Sequence, residues 1–496
     1  MFKRHIVSNS QQNVTKDGLK MTMVPLHLNG CWRKVVVSDI VPFSEELSPM
    51  FVTTPLSPCL EWPVFLEKSY LSLFGSNEFR GSNQASDLYT IAGWIPEFRI
   101  LAGDCDSIWE NIYNDWKSGN IVLGAGTGRT TIESEDPHTG LASDHSYAIL
   151  GLIECEGKRM VLFRNPWKDG GVWKGEQEEF PQTDSYHEIF AGVSSDLKKT
   201  CFCIQWHTVC LHFKTLFLNW NPEMFSYSLH RHFKIPDSCV SKRGLRSVLL
   251  GDQIQLSLEN TENLDITVFV LLEVHSAVIG IEELKCKIYA LDADGQRIYS
   301  ANNLIDHNEY TKGLRTLKKL SLKAFQKKTI IPIVIQEHPS VVPISLHFYS
   351  THNFELKEAP HTMNHLHMVE YEQNSKFSVE EDGGYENNPS WVFSSQKRIS
   401  FLTISAECDD DDMYIHIGII QKQGRNAGIS SRDLIKHSDK YKPGYTSVSV
   451  ESLEPKVEYL IVLSILDKVA KEKVRLSIRS SEHLDVERVL NRHAVS

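Results

Sequence analysis

From about residue 236 onward the chain is a succession of short strands with turns between them, and this constrains the fold more than any other feature. The runs are Gln253–Leu258, Ile266–Val274, Lys285–Leu291, Ile330–Ile335 and Ile344–Tyr349, then Trp391–Phe393, Ile399–Ile404, Met413–Ile419 and Tyr459–Ile465. Helix signals fade over the same stretch. Short strands in series predict β-sandwiches, and about 260 residues give room for two of them. The polar, His-rich stretch Ala359–Glu381 reads as a linker or a swapped connection.

The preceding residues mix helix and strand. Val35-Val36-Val37, after Cys31-Trp32-Arg33, reads as a strand. Trp62, Phe65, Leu66, Ser69 and Tyr70 recur at helical spacing, which predicts an amphipathic helix over about Trp62–Phe74, stopped by Gly75-Ser76-Asn77. A second helix is expected from Asp106 through Trp116, with Asp106 or Ser107 as its cap and Ile108, Ile112, Tyr113 and Trp116 as its apolar stripe. Tyr147–Ile153 and Arg159–Arg164 read as two strands of a hairpin turning at Glu156-Gly157-Lys158. Pairing them antiparallel brings His145 and Asn165 out at the same end.

Composition narrows the function classes. The 496 residues suggest roughly three domains at about 150 residues each. Apolar residues at 41% and charged residues at 23% are those of a soluble globular chain. The formal charge is −11, from 52 basic and 63 acidic residues, which disfavours sequence-independent nucleic-acid binding. Ile266–Leu272, the longest mostly apolar run, is far short of the roughly 20 residues that cross a bilayer. Met1-Phe2-Lys3-Arg4-His5 leads into polar residues, so no secretory signal is expected. Ten scattered cysteines then predict reduced thiols in a cytosolic protein, and Asn13-Val14-Thr15 is read as a chance glycosylation match.

The constellation that carries chemistry is Ser143-Asp144-His145-Ser146-Tyr147-Ala148, followed by Arg164-Asn165-Pro166-Trp167 and Trp173-Lys174-Gly175. A thiol protease needs a His that takes the Cys proton and an Asn that holds the imidazole in place. A Trp two residues after the Asn would cover that hydrogen bond and keep water away. The bland alternative is that His145 is one of 21 histidines and that Asn165-Pro166 simply ends a strand. The joint spacing of the His, Asn and Trp favours the functional reading.

These residues resemble the His/Asn half of the calpain protease core. Asn29-Gly30-Cys31-Trp32-Arg33 through Asp39-Ile40-Val41-Pro42 is similar to the calpain segment ending in a DD-x-LP motif. Trp62 with Leu66-Glu67-Lys68-Ser69-Tyr70 resembles the calpain W-x-x-LLEKAY helix. Gly81-Ser82-Asn83, Asp87-Leu88 and Gly93-Trp94-Ile95-Pro96-Glu97 resemble the stretch joining the two protease subdomains. Asn219-Trp220-Asn221-Pro222, the two β-rich domains and Gly383-Gly384 with Asn387-Asn388-Pro389 look most like the PalB branch, the fungal calpain-like proteases and their animal relatives.

The resemblance implies an α+β fold: a partial papain-like calpain protease core followed by two C2-like β-sandwich domains. It divides the chain into the rest of a first protease subdomain at 1–94, a second subdomain carrying His145 and Asn165 at 95–232, and sandwiches at 233–358 and 359–496. It implies a cysteine endopeptidase for limited proteolysis, with His145 as general base and acid, Asn165 as its orienter and Trp167 as a shield. In the fungal members the implied role is alkaline-pH signalling, by cleavage of a zinc-finger transcription factor near endosomal sorting machinery. The expected location is the cytoplasm, with recruitment to endosomes.

One departure matters. Calpains carry the nucleophile in a Gln…Gly-Asp-Cys-Trp context upstream of the DD-x-LP segment, and no such motif precedes that segment here. Cys31-Trp32 falls within the later segment, and Gly103-Asp104-Cys105 follows the intersubdomain stretch with Asp106 in place of the aromatic. Both cysteines are read as ordinary thiols. The expectation is a chain incomplete at its N-terminus or, alternatively, a catalytically inactive scaffold. A transglutaminase would use an Asp orienter, against Asn165-Pro166.

The remaining signals are weaker. Cys201, Cys203, His207, Cys210 and His212 crowd together, but their spacing matches no justified zinc site and also reads as a strand leading to a helix. Glu407 with Asp409–Asp412 is a candidate Ca²⁺ loop or a solvated hairpin. No EF-hand loop is present. Gly124-Ala125-Gly126-Thr127-Gly128 lacks the Lys-Ser/Thr of a phosphate loop and reads as a flexible loop near the cleft. The expectation is therefore no cofactor and no metal, a protein substrate as partner, and no transmembrane span.

Overall fold

The computed structural model describes residues 13–14, 20–45, 50–52, 62–74, 82–128, 136–167, 172–175, 198–240, 253–275, 284–298, 311–336, 340–360, 367–376, 388–408, 413–422, 434–438, 441–466 and 471–489. At the N-terminal end, Lys20–Leu28 and Cys31–Ser38 form a hairpin closed by Asn29 (φ 52°) and Gly30 (φ 76°). Two left-handed residues in sequence are what a tight hairpin turn requires. Val24, Leu26, Val35 and Val37 pack beneath the helix Trp62–Phe74 through Phe65, Leu66, Tyr70 and Leu73. The helical spacing of those residues put the helix at these bounds. A further helix, Gln84–Ala92, begins at the Asn83 cap and ends at Gly93 (φ 73°).

Next comes a six-stranded antiparallel sheet. Its spatial order is Ile95–Ile100, Thr215–Trp220, Ile121–Gly126, Ser146–Cys155, Lys158–Arg164 and Cys201–Gln205. The helices Cys105–Lys117 and Trp206–His212 contribute Trp109, Ile112, Trp206 and Val209 to the core shared with this sheet. Asp104, not Asp106 or Ser107, caps the first of these helices, its carboxylate accepting from the N–H groups of both.

Beyond residue 226 the described elements are strands and 3₁₀ turns, as the patterning predicts. One sheet orders Tyr227–Ile235, Val342–Ser350, Ile266–Val274 and Arg315–Leu322. A second orders Thr311–Lys312, Lys285–Leu291, Lys327–Ile335, Leu256–Asn260 and Phe354–Glu358. Val268, Val270, Leu272, Leu346 and Phe348 from the first meet Leu258, Cys286, Ile288 and Ile330 from the second in one core. A later pair of sheets shares a separate core, including Ile404, Leu476 and Ile478 on one side and Ile415, Ile417, Ile461 and Leu463 on the other. Both arrangements are compatible with β-sandwiches. The presumed linker includes a strand, His367–Lys376, paired with Lys471–Ser480. A polar strand at a sheet edge fits there because an edge strand need not be apolar.

The sheet containing Ile266–Val274 is buried on both faces. Alternate residues Phe269, Leu271 and Tyr349 join the core of the six-stranded sheet. On that face Lys319 pairs with Glu97 at 2.8 Å and lies 3.9 Å above the Trp220 ring. Further along, Glu273 is fully buried and accepts hydrogen bonds from Arg315, the Tyr89 hydroxyl and the Gly30 N–H, the last two at 2.9 and 2.8 Å. Burial alone would raise the Glu273 carboxyl. Burial is the largest single influence, but the Arg315 guanidinium, His347 and His27 together overcome it and hold the group below the usual carboxylate range. A Cβ at Gly30 would collide with the Ser345 hydroxyl, so the hairpin tip docks on this face only with glycine there. The strand Tyr227–Ile235 spans residues 232 and 233 and pairs along its whole length with Val342–Ser350.

Histidines line the same contact and make it acid-sensitive. Burial lowers His27 to about 4, with His347, Arg315 and His230 reinforcing it against Glu273. Burial also lowers His230 to about 4, helped by His347 and His232; His230 Nδ1 lies 2.8 Å from His347 Nδ1. The unfolded chain takes up these protons below pH 6.5, whereas the folded chain does so only near pH 4. Stability at this contact is therefore full above about pH 6.5 and falls as pH drops towards 4. The thermal midpoint of the native chain should fall more steeply from pH 7 to 4.5 than that of a His27→Gln/His230→Gln variant. Parallel curves would show that these two rings do not contribute.

Candidate active site

A single hairpin brings His145 and Asn165 together. Ser146–Cys155 pairs with Lys158–Arg164, and Glu156 (φ 51°) and Gly157 (φ 78°) close the turn. A register shift between Ile149 and Gly151 adjusts the open end. His145 precedes the first strand and Asn165 follows the second. The Asn165 N–H donates to the Thr200 carbonyl at 3.0 Å, holding the residue at the sheet edge.

The side chains meet at 2.8 Å, His145 Nε2 to Asn165 Oδ1. Asn165 is fully buried. The backbone N–H of Trp167 also donates to Asn165 Oδ1, at 3.1 Å. A backbone N–H can only donate, so this amide atom is the oxygen, and the Nε2 facing it carries the proton. The neutral ring therefore keeps its lone pair on Nδ1. No described residue hydrogen-bonds that nitrogen. Burial lowers the His145 pKa below the ordinary imidazole value, while the Asn165 bond partly opposes the shift. The ring is thus neutral at pH 7 and able to accept a proton through Nδ1.

Aromatic rings hold the imidazole from two sides. The Trp167 ring lies 4.3 Å from it, centroid to centroid, and Tyr147 meets it edge-on at 4.9 Å. Tyr147 is fully buried against Phe202 and Phe213, and Phe163 stacks on Phe213 at 4.8 Å. Trp167 is 45% exposed, so its outer surface is open while its inner surface covers the His145–Asn165 pair.

The other candidates lie elsewhere. Cys31 is exposed at the start of its strand. Cys105 is disulfide-bonded to Cys210, correcting the expectation of reduced thiols throughout, because the two helices that carry them meet at these positions. A cavity of about 630 Å³ beside this disulfide is lined by Asp104, Arg159 and His207, without His145 or Asn165. Among the described residues no cysteine hydrogen-bonds His145. Cys59, Asp409–Asp412 and Gly383-Gly384 lie outside the described residues.

The crowded Cys/His segment is split by the fold. Cys203 is buried with Ile153, Met160 and Leu162, whereas Cys210 faces Cys105. Glu407 pairs with Arg475 at 3.2 Å. The glycine-rich stretch is largely strand, Ile121–Gly126, and Gly126 approaches the Phe217 ring closely. Pattern reading missed Thr127, whose neighbours His145 and Ala142 are brought to it only by strand pairing, and also the buried Glu273.

Residues 2–218 match the family described as calpain family cysteine protease. The calpain-like protease palB/RIM13 of Aspergillus oryzae is 28% identical over 463 residues, covering 88% of this chain and 52% of that protein. The calpain-like protease palB of Emericella nidulans is 30% identical over 457 residues, covering 88% and 51%. Calpain-7 of Homo sapiens is 26% identical over 404 residues, covering 76% and 48%. The chain spans about half the length of the relatives it matches. No helix among the described residues is long and apolar enough to cross a membrane.

Proposed function

We propose that the chain carries a calpain-family cysteine protease domain of the palB/RIM13 kind and serves a calpain-type cysteine endopeptidase acting by limited proteolysis, a reading supported by the match of residues 2–218 to that family and by the similarity to the palB proteins. The observation that carries this reading is the 2.8 Å His145–Asn165 hydrogen bond under the Trp167 ring. His145 Nδ1 removes the proton of a thiol, and the thiolate attacks the scissile carbonyl. The imidazolium then protonates the leaving amine, and a water activated by the same ring releases the acyl group. Asn165 holds the tautomer throughout, and Trp167 excludes water from the bond that does so. The thiol belongs to a part of the protein beyond the described residues.

The finer assignments rest on the relatives. The palB names support a role in ambient alkaline-pH signalling. In that setting the substrate is a zinc-finger transcription factor, cut in the cytoplasm beside endosomal sorting machinery. The papain-like core has two subdomains meeting near residue 94 and ends before the strand Tyr227–Ile235, which pairs into the next sheet and so moves the expected 232/233 boundary forward; two C2-like sandwiches follow, dividing near residue 358. A second reading, an inactive scaffold binding partners through its β-domains, is favoured by the lack of a described cysteine at His145.

An epoxide thiol-protease inhibitor separates the two readings. Applied to the endogenous protein and followed by peptide mass spectrometry, it is expected to label one cysteine, other than Cys31 or Cys105, in a His145-dependent manner. Absence of any such labelling would favour the scaffold. Stoichiometric labelling at Cys31 or Cys105 would overturn the assignment of both as ordinary cysteines.

A further inference from the structure

His145 stands in an irregular segment. Asp144, immediately before it, has φ 50°, a left-handed conformation that few residues other than glycine adopt readily. The regular strand begins only at Ser146. Backbone polar groups in such a segment need partners from outside it. Three of them, the His145 N–H and carbonyl and the Ala142 carbonyl, bond to one residue of the glycine-rich stretch, Thr127. The Thr127 N–H donates to the His145 carbonyl at 3.0 Å, extending the pairing of Gly126 with Ser146 by one residue. The Thr127 hydroxyl accepts from the His145 N–H at 3.0 Å and donates to the Ala142 carbonyl at 2.6 Å. Thr127 is 8% exposed, so water does not replace these bonds readily.

We infer that Thr127 is a positioning residue for His145: by bridging the backbone on both sides of the left-handed Asp144, its hydroxyl sets the ring where Nε2 reaches Asn165 and Nδ1 stays clear of every described hydrogen-bond donor. The hydroxyl's single proton goes to the Ala142 carbonyl at 2.6 Å, with the His145 carbonyl a longer second acceptor at 3.2 Å, and one of its lone pairs takes the His145 N–H, so it touches both ends of the same turn. The surroundings support the role. Tyr147, below the ring, accepts the Ala142 N–H at 2.9 Å, and Asp144 N–H reaches the Gly128 carbonyl at 3.3 Å. Without the hydroxyl, Ala142 C=O and His145 N–H lose their partner, and the turn relaxes to find others. A shift of about 1 Å in a reacting group costs on the order of 10²-fold in rate.

This inference deepens the protease reading and rests on it, but its test does not need proteolysis. Thr127→Val keeps the branched shape and the backbone N–H bond while removing the hydroxyl, and Thr127→Ser keeps the hydroxyl. In the 496-residue chain, histidine-selective NMR reports the His145 Nε2 proton and its titration. Thr127→Val is expected to broaden or lose that proton signal and to move the titration up towards the ordinary value of about 6.5. Thr127→Ser is expected to behave as the native chain. Should the Val variant not fold, Thr127→Ala provides the same deletion with a smaller side chain.

In the active full-length protein, Thr127→Val should lower kcat by roughly 10²-fold, leave KM nearly unchanged and shift the acid limb of the pH profile. A native-like Nε2 proton and titration in a folded Val or Ala variant would overturn the inference. Absence of cleavage by the native full-length protein would instead overturn the protease reading and leave the NMR result standing.

Discussion

His145→Ala in the full-length protein is expected to abolish cleavage, a loss of roughly 10⁴-fold or more, because no other group can take the thiol proton and return it to the leaving amine. The described site offers no substitute: the rings within reach are Tyr147 and Trp167, and neither is a base at neutral pH. Asn165→Ala should be milder, about 10²-fold, since it loosens the ring without removing it. Its signature is a changed tautomer preference. Nε2 no longer has Asn165 Oδ1 to hold its proton, so part of the population places the proton on Nδ1 and cannot accept the thiol's. The pair is tested by single-turnover cleavage of a protein substrate with each variant. Unchanged cleavage by His145→Ala would remove His145 from the chemistry. Equal losses in the two variants would mean that orientation and proton transfer cannot be separated here.

Glu273→Gln is expected to destabilise the chain by about 3–5 kcal/mol, the range for breaking a buried ion pair from one side. The carboxylate is as buried as any group among the described residues, and it holds three separate elements. Arg315 comes from its own sheet, Tyr89 from the helix Gln84–Ala92 and Gly30 from the N-terminal hairpin. The Gln side chain keeps one oxygen but leaves the 8% exposed Arg315 without a countercharge. Urea unfolding should show a lower midpoint, and hydrogen exchange should quicken over 20–38 before it does over the strand Ile266–Val274. Replacing Arg315 by Met in the same background should recover part of the loss, because an apolar pair avoids the unpaired charge. A midpoint unmoved by Glu273→Gln would show that the hairpin is held by apolar packing alone.

Most of the local elements, and the meeting of His145 with Asn165, can be read from the residues alone. Period and turn chemistry are short-range properties. The helix Trp62–Phe74 was legible from its apolar spacing, and the strands Lys285–Leu291 and Tyr459–Ile465 from short runs dominated by apolar residues, broken only by Lys285 and Lys287 in one and Ser464 in the other. His145 and Asn165 were legible as a pair because a hairpin with a tight turn puts residues on either side of it in contact.

Tertiary structure decided what depends on pairing across long separations. Cys105 meets Cys210 across 105 residues, and no local pattern marks such a contact. Glu273 reads as one acid in an apolar strand. Only the folded sheet, buried on both faces, shows that it accepts a bond from Gly30 across 243 residues. Thr127 likewise looked like part of a flexible glycine loop until strand pairing set it against His145. In each case the chain codes the chemistry at one position and the partner at another, and burial then makes that contact energetically important by excluding water.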